Sequence, residues 1–210
     1  MEHLRALGHD AFGCDVVAPK DDKGGRLRLI ASEPYRLPFD DGSFDAVVST
    51  TVLEHAKNPD EYNREIHRVL KPGGVAMHIF PGKWYLPYEP HMHVPLANFF
   101  YPNCPTWWFS LWALLGLRGP FQKGLGWRET VAVYRNYYDT AVIYLSTRQH
   151  TRYSKQVFGN CMWPGEFYIE HAHGRFAQLC RKLPMRKLLG ILSREIRMAF
   201  MVQRKERSAS

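Results

Sequence analysis

Acidic and hydroxyl side chains follow three predicted strands, at the point where each strand ends. Asp15 closes the first, Glu33 lies just past the second, and Ser49 to Thr51 end the third. Because ligands of an open parallel sheet bind outside the carboxyl ends of the strands, we expect these groups to converge on one edge. A carboxylate can accept hydrogen bonds from both vicinal hydroxyls of a ribose, and a second acceptor suits an exocyclic amine. The pattern indicates a site compatible with a nucleoside.

The same residues also have structural interpretations, which the sequence leaves open. These are an exposed loop acid at Asp15, an ion pair of Glu33 with Arg26, Arg28 or Arg36, and helix-capping hydroxyls at Thr50 and Thr51.

The elements that must position these groups alternate between strands and helices. We predict strands over 11–16, 26–31, 45–49, 75–80, 166–171 and 198–204, and helices over 1–7, 58–70, 128–147 and 149–158, with one or two more in 176–196. A polar loop is predicted over 20–25, and Lys71-Pro72-Gly73-Gly74 is predicted to stop a helix. The order strand, helix, strand is typical of parallel βαβ units with helices on both faces of the sheet.

This rhythm breaks after residue 82, which suggests a division of the chain. We predict a partial nucleotide-binding core over 1–82, an inserted aromatic-rich substrate or lid lobe over 83–147, and C-terminal helices and strands over 148–204 that complete the core. Residues 205–210 are predicted to be a basic tail.

Within the lobe, the apolar stretch from Trp107 to Leu117 is too short to span a bilayer. It could pack an aromatic face on the core, line a pocket for a large apolar or glycan-like substrate, or rest on a membrane surface.

Charge and cysteine content narrow the class of protein. The chain has 210 residues and a net charge of +8, and residues 101–210 hold 17 Lys and Arg against 6 Asp and Glu. This asymmetry favours an anionic partner or a solvated basic face. The four cysteines show no paired spacing and follow no secretory signal, so we expect reduced thiols and a cytoplasmic protein. Nucleic acid is disfavoured as a partner, because the basic residues form no recognised motif with exposed aromatics.

One continuous stretch resembles a known family. Leu37-Pro38-Phe39, Leu53-Glu54-His55 and the run from Arg68 to Gly74 resemble the second half of the core of class I S-adenosylmethionine-dependent methyltransferases. The resemblance implies a Rossmann-like fold with a mostly parallel sheet, and S-adenosylmethionine as cofactor. It places Asp15 on the ribose, Val16 and Glu33 on the adenine, and Ser49 and Thr50 along the methionine part.

The glycine-rich half of that core does not precede these motifs. In the family, the first strand lies mid-sheet, between the strands that correspond to 11–16 and 45–49, and the sequence shows no Gly-x-Gly after a strand. We therefore expect a core truncated at its N-terminus and lacking that first strand. Three explanations remain open: the true start lies upstream of Met1, the two flanking strands pair directly, or the chain is a decayed paralogue.

Methyl transfer to oxygen or nitrogen also needs a group that removes a proton from the acceptor. His55 and His91 are the predicted catalytic residues, chosen from candidates that include Glu89 and His93. His91-Met92-His93 could grip a metal ion, but no third ligand is evident in the sequence, so we predict no metal site.

The sequence thus predicts a methyltransferase acting on a small molecule or a biosynthetic intermediate, such as a glycan or lipid precursor. The alternative is a catalytically inactive module that binds a partner. Peripheral membrane contact stays open, and no oligomeric state is predicted.

Overall fold

A small parallel sheet forms the N-terminal part of the fold. The computed structural model describes residues 1–17, 25–31 and 33–207, so most of the loop predicted over 20–25 lies outside the described residues. Helix α1 spans Glu2–Ala6, and Gly8 follows it with φ +87°, as expected of a helix-ending glycine. Strands β1 (Gly13–Asp15) and β2 (Leu27–Leu29) pair in parallel, with Asp15 opposite Leu29. Both predicted strands are confirmed. Each has three residues and is shorter than the span predicted for it, 11–16 or 26–31.

A second sheet holds the longer strands. Strand β3 (Phe44–Thr50) pairs in parallel with β4 (Leu70–Pro81), and β5 (Met198–Arg204) pairs antiparallel on the other side of β4. The strands predicted over 45–49, 75–80 and 198–204 are therefore confirmed.

The two sheets remain separate. Within residues 1–17, 25–31 and 33–207, no backbone ladder joins β1 to β3, so direct pairing of these flanking strands is not what the structure shows. Three aromatic rings join this region instead: Phe12 lies 6.3 Å from Phe39 and from Phe44, and Phe39 lies 4.8 Å from Phe44. The outer side of β3 is correspondingly open, and Val48 in this strand is 50% exposed.

Helix α2 (Pro59–Val69) connects β3 to β4 and begins where the sequence predicts. The Asn58 side chain accepts a hydrogen bond from the Glu61 amide at 3.3 Å, and Pro59 occupies the first turn. Tyr62, Ile66 and Val69 recur at helical spacing and are buried against the sheet. The helix ends at Val69 and β4 follows immediately, so Lys71 to Gly74 lie in an irregular start of the strand.

Arg68 of α2 fixes the Leu-Pro-Phe segment that precedes β3. Its guanidinium donates to the Leu37 carbonyl at 2.9 Å and the Phe39 carbonyl at 2.8 Å, and pairs with Glu65 and Asp41. The Glu65 carboxylate in turn accepts from the Leu37 amide at 2.9 Å. The Leu-Pro-Phe motif is thus a loop held by a helix-borne ion pair.

A helical region with its own buried cluster follows β4. Helix α3 spans Thr106–Leu114 and α4 spans Trp127–Thr140. Phe109 and Ala113 of α3 pack on Tyr134 and Tyr138 of α4, whereas Trp107 is 62% exposed. Most of the stretch from Trp107 to Leu117 is therefore helical, and it presents apolar side chains both to the cluster and to solvent.

Four more helices and three short 3₁₀ turns complete the fold. Helices α5, α6, α7 and α8 span Thr147–Phe158, Gly165–His171, Arg175–Arg181 and Arg186–Ile196, and the 3₁₀ turns span Leu53–His55, Ala97–Phe100 and Pro120–Gln122. Helix α5 packs on α2 and touches β5. Among the described residues, no helix combines the length and apolar content needed to cross a bilayer.

Two predictions for this half of the chain are wrong, one of them only in part. The predicted helix over 128–147 ends at Thr140, and Ser146 caps the helix predicted over 149–158, which is α5 and begins at Thr147. The predicted strand over 166–171 is helix α6. Its apolar residues suggested alternation, but Phe167 stacks on His171 one turn later at 4.1 Å.

Candidate active site

Asp15 and Val16 lie at the carboxyl end of β1. One oxygen of the Asp15 carboxylate accepts from the Val17 amide at 3.0 Å, and the side chain is exposed. Val16 is 54% exposed beside it. An open carboxylate next to an unburied apolar side chain suits a ribose diol and the face of a base. The structure keeps these two predicted residues available for a ligand.

Glu33 lies beyond the end of β2 and is also exposed. Its carboxylate faces Lys57 at 3.8 Å, a loose surface pair that contributes little to stability. Two of the three arginines considered as its partners contact other groups: Arg26 pairs with Asp10, and Arg28 donates to the Pro38 carbonyl.

Ser49 and Thr50, at the end of β3, face different environments. The Ser49 hydroxyl lies 2.8 Å from His78 Nδ1, in a buried network, whereas Thr50 is exposed. Thr51 follows with φ +51°, an uncommon conformation for a β-branched residue, and its hydroxyl donates to the Thr50 carbonyl at 2.8 Å. The side chain of Thr50 is therefore open to a ligand, and that of Ser49 is engaged inside the protein.

The network below Ser49 determines the tautomer of His78. Gln203 Nε2 donates to Asn63 at 2.7 Å and to Ser154 at 2.8 Å, so Gln203 Oε1 is the acceptor that faces His78 Nε2 at 3.0 Å. Nε2 must then carry the proton, and Nδ1 accepts from the Ser49 hydroxyl. Burial lowers the pKa of His78 to about 4, which keeps the ring neutral.

The 3₁₀ turn Leu53–His55 brings the two predicted catalytic histidines together. The His55 and His91 rings lie 5.2 Å apart, centroid to centroid. His55 Nδ1 donates to the Ala141 carbonyl at 2.6 Å, and His91 Nδ1 donates to Glu89 Oε1 at 2.8 Å. His93, the other histidine of the His-Met-His motif, packs on Tyr88 at 4.8 Å instead.

Glu54 is a buried carboxylate beside these rings with a strongly raised pKa. Its side chain is 2% exposed, and neither carboxylate oxygen has a hydrogen-bond partner. Burial raises its pKa to about 7, although the nearby His91 charge opposes the shift. Burial lowers the pKa of His55, whereas the pKa of His91, which burial would also lower, is raised by the hydrogen bond and charge of Glu89. At neutral pH this cluster can accept or hold a proton.

Glu89 positions His91 from beneath. It is fully buried, and its oxygens accept from the His91 amide at 2.9 Å, from the Met92 amide, and from the Tyr144 hydroxyl. Tyr137 closes the site with its ring 5.3 Å from that of His91, and its hydroxyl is buried without a partner. Sequence reasoning did not assign a role to Glu54 or Tyr137. The adjacency of Glu54 to His55 was the available signal, but its burial depends on distant residues.

The residues at the carboxyl ends of β1 and β3 have the chemistry that a nucleoside cofactor needs. Asp15 offers a free carboxylate oxygen, Val16 an apolar surface and Thr50 an open hydroxyl, with the Glu54 cluster beginning four residues after Thr50.

One family model matches the first part of the chain. Residues 1–78 match the family described as the methyltransferase domain. The resemblance to class I methyltransferases is confirmed. The methyltransferase fold extends further, since a structure of an S-adenosylmethionine dependent methyltransferase from Mesorhizobium loti covers 97% of this chain and 84% of its own, with a TM-score of 0.53 at 14% identity. That name agrees with the predicted cofactor, S-adenosylmethionine.

Methyltransferase relatives match shorter segments. An uncharacterized protein of Mycobacterium tuberculosis is 30% identical over 42% of this chain and 35% of its own length. Demethylmenaquinone methyltransferase of a Parafrankia species is 46% identical over 25% of this chain and 20% of its own. Sterol 24-C-methyltransferase ERG6B of Gibberella zeae is 37% identical over 29% and 16%. The match thus spans about a third or less of the length of these curated relatives.

Proposed function

We propose that this chain is an S-adenosylmethionine-dependent methyltransferase acting on a small molecule or a biosynthetic intermediate. The observation that carries the proposal is the position of Glu54, His55 and His91. A cluster that can accept a proton follows directly after β3, and Asp15 offers an open carboxylate at the carboxyl end of β1. Methyl transfer needs both a cofactor site and a group that positions and deprotonates the acceptor, and these two sets of residues can supply them.

The roles of the residues follow from their chemistry. Asp15 accepts hydrogen bonds from the ribose hydroxyls, Val16 packs on the adenine, and Glu33 accepts from its exocyclic amine. Thr50, with Ser49 behind it, borders the methionine part. S-adenosylmethionine supplies a methyl group that is open to in-line displacement. His55 and His91 orient the acceptor, and the cluster that includes Glu54 takes up its proton.

The acceptor we infer is apolar in part, with a glycan or lipid precursor as the class to test first. Two methyltransferases that match this chain are named for sterol and demethylmenaquinone, both largely apolar molecules. Helix α3, which packs on α4, exposes Trp107, Leu111 and Leu114 to solvent. An apolar surface of this kind can hold a long hydrocarbon or the face of a sugar.

Calorimetric titration with S-adenosylhomocysteine tests the cofactor site. We expect micromolar binding to the chain, and a roughly tenfold or greater loss in Asp15→Asn, because a hydrogen bond to a charged group contributes about 1.5–3 kcal/mol. Asp139→Asn is the matched control, since Asp139 is an exposed acid of α4 that pairs with Arg135. Equal affinity of Asp15→Asn and the control would remove Asp15 from the site.

The alternative function is an inactive binding module. It is favoured by one edge each of β1 and β3, which have no strand partner within residues 1–17, 25–31 and 33–207. No binding at millimolar S-adenosylhomocysteine would support this alternative. Transfer of a labelled methyl group from S-adenosylmethionine to an extracted lipid or glycan fraction, lost in His55→Ala plus His91→Ala, would exclude it.

A further inference from the structure

We propose that Glu54, His55 and His91 form a binding site for a divalent transition-metal ion, with Zn²⁺ as the reference ion. One ligand atom from each of the three residues lies within 4.8 Å of the others. The residues come from two distant segments, the 3₁₀ turn after β3 and the loop that follows β4. The fold, and not the spacing of the His91-Met92-His93 motif, brings Glu54 and His55 to His91, while His93 takes no part in the site.

Both imidazoles are already oriented as metal ligands usually are. His55 Nδ1 is held by the Ala141 carbonyl and His91 Nδ1 by the Glu89 carboxylate. Each hydrogen bond places the proton on Nδ1 and leaves the lone pair on Nε2. A backbone carbonyl or a carboxylate behind a histidine is the usual support for a metal-bound ring.

The Glu54 carboxylate gives an independent reason to expect a ligand. It is 2% exposed with both oxygens unpartnered, and a buried carboxylate without a partner is costly. A bound cation would satisfy these oxygens and favour the ionised form. The Tyr137 hydroxyl is also buried without a partner, and the Tyr137 ring lies 6.3 Å from that of His55.

The ligand set favours one group of metals. Two imidazole nitrogens and one carboxylate oxygen suit Zn²⁺, Mn²⁺, Fe²⁺ or Co²⁺ better than Mg²⁺ or Ca²⁺, which prefer oxygen. In a tetrahedral zinc site, ligand atoms lie about 3.4 Å apart, so binding would draw the widest pair together by up to ~1.4 Å. His55 is exposed and can move, and its exposure gives an ion a route from solvent.

Three protein ligands leave at least one coordination position open. If the chain is the methyltransferase proposed above, an ion here would replace direct proton uptake by these side chains. It would hold an acceptor oxygen in the open position and lower the pKa of an acceptor hydroxyl, whose proton would pass to solvent. This use of the site rests on the proposed function, whereas metal binding itself does not. The inference narrows the acceptor to a molecule with a coordinating hydroxyl, carboxylate or phosphate.

Metal titration of the full chain tests the site. After treatment with a chelator, we expect one Zn²⁺ per chain by calorimetry, and at least a tenfold weaker affinity in Glu54→Gln and His91→Ala. His93→Ala is the matched control, since His93 belongs to the same motif but packs on Tyr88, and it should bind as the parent chain does. Absence of Zn²⁺ binding at tens of micromolar, or unchanged affinity in both ligand variants, would overturn the proposal.

Substitution by Co²⁺ identifies the ligands. Nitrogen and oxygen ligands give visible d–d bands without a thiolate charge-transfer band, so a strong near-ultraviolet band would assign binding to cysteine and overturn the proposal. His55→Ala changes an exposed side chain and keeps the test valid if Glu54→Gln does not fold. Zinc binding without S-adenosylhomocysteine binding would support the site and contradict the methyltransferase, and the reverse result would contradict the site alone.

Discussion

Replacing Gln203 by Leu should destabilise the fold strongly, although the two side chains are similar in size. Gln203 lies on β5 and is fully buried. It accepts from His78 of β4 and donates to Asn63 of α2 and to Ser154 of α5. One amide therefore joins two strands and two helices.

The expected magnitude follows from the three hydrogen bonds that the substitution removes. Leucine leaves the His78 donor and the Asn63 oxygen buried without this partner, while Ser154 keeps its bond to the Asn160 carbonyl at 2.8 Å. Each buried group left unsatisfied costs about 1–3 kcal/mol. Two such groups give a destabilisation of about 2–6 kcal/mol, to which the weakened Ser154 adds little. Since domains are stable by about 5–15 kcal/mol, the variant should lie near its folding limit.

Urea denaturation followed by far-ultraviolet circular dichroism measures this destabilisation. Gln156→Leu is the matched control, because Gln156 is exposed on α5 and its replacement should change the free energy of unfolding by less than about 0.5 kcal/mol. A decrease below about 1 kcal/mol in Gln203→Leu would refute the reasoning. It would mean that the buried network forms without contributing to stability.

Two further predictions concern pH and the loop before β3. Burial lowers the folded-state pKa of His78 to about 4 and that of His150 to about 3, against about 6.5 when unfolded. Their contribution to stability is therefore complete above pH 6.5 and is lost as the pH falls toward 4, by up to about 1.4 kcal/mol per pH unit for each ring. In His150→Gln the slope of unfolding free energy against pH should flatten, and an unchanged slope would contradict this account. Arg68→Ala removes bonds to two loop carbonyls and should cost about 2–4 kcal/mol in urea denaturation, whereas Arg64→Ala, an exposed ion pair on the same helix, should cost less than about 0.5 kcal/mol. Equal effects in the two variants would assign no special role to Arg68.

The sequence predicts the central elements well because local signals agree with the tertiary structure there. Asn58-Pro59 starts α2, and the apolar runs of β3, β4 and β5 are long enough to be distinguished from loops. Helix α6 shows the opposite case. In this segment of seven residues, Phe167 and Ile169 match the alternation of a strand. The helix is accommodated by the close approach of Gly165 to Gly190 of α8, and the sequence does not show this contact.

The candidate site divides in the same way. His55 and His91 could be proposed from the sequence, since an imidazole in or near a family motif can remove a proton from an acceptor. Glu54 could not, because its raised pKa arises from burial, which is a property of the folded chain and not of the neighbouring sequence. Ser49 was predicted to border the cofactor, but its hydroxyl partner, His78, is brought to it only by the pairing of β3 with β4.

The separation of the two sheets gives a ligand a mechanical role. Asp15 and Val16 belong to the β1–β2 sheet, whereas Thr50 and the Glu54 cluster belong to the β3–β4–β5 sheet. A ligand that contacts residues of both groups would link two sheets that share no backbone ladder in the described part of the chain. Its binding free energy then adds directly to the cohesion of the two sheets, by RT ln(1 + [L]/Kd). Hydrogen exchange in β1 and β2 should slow on binding more than exchange in β4, which already has a strand on each side.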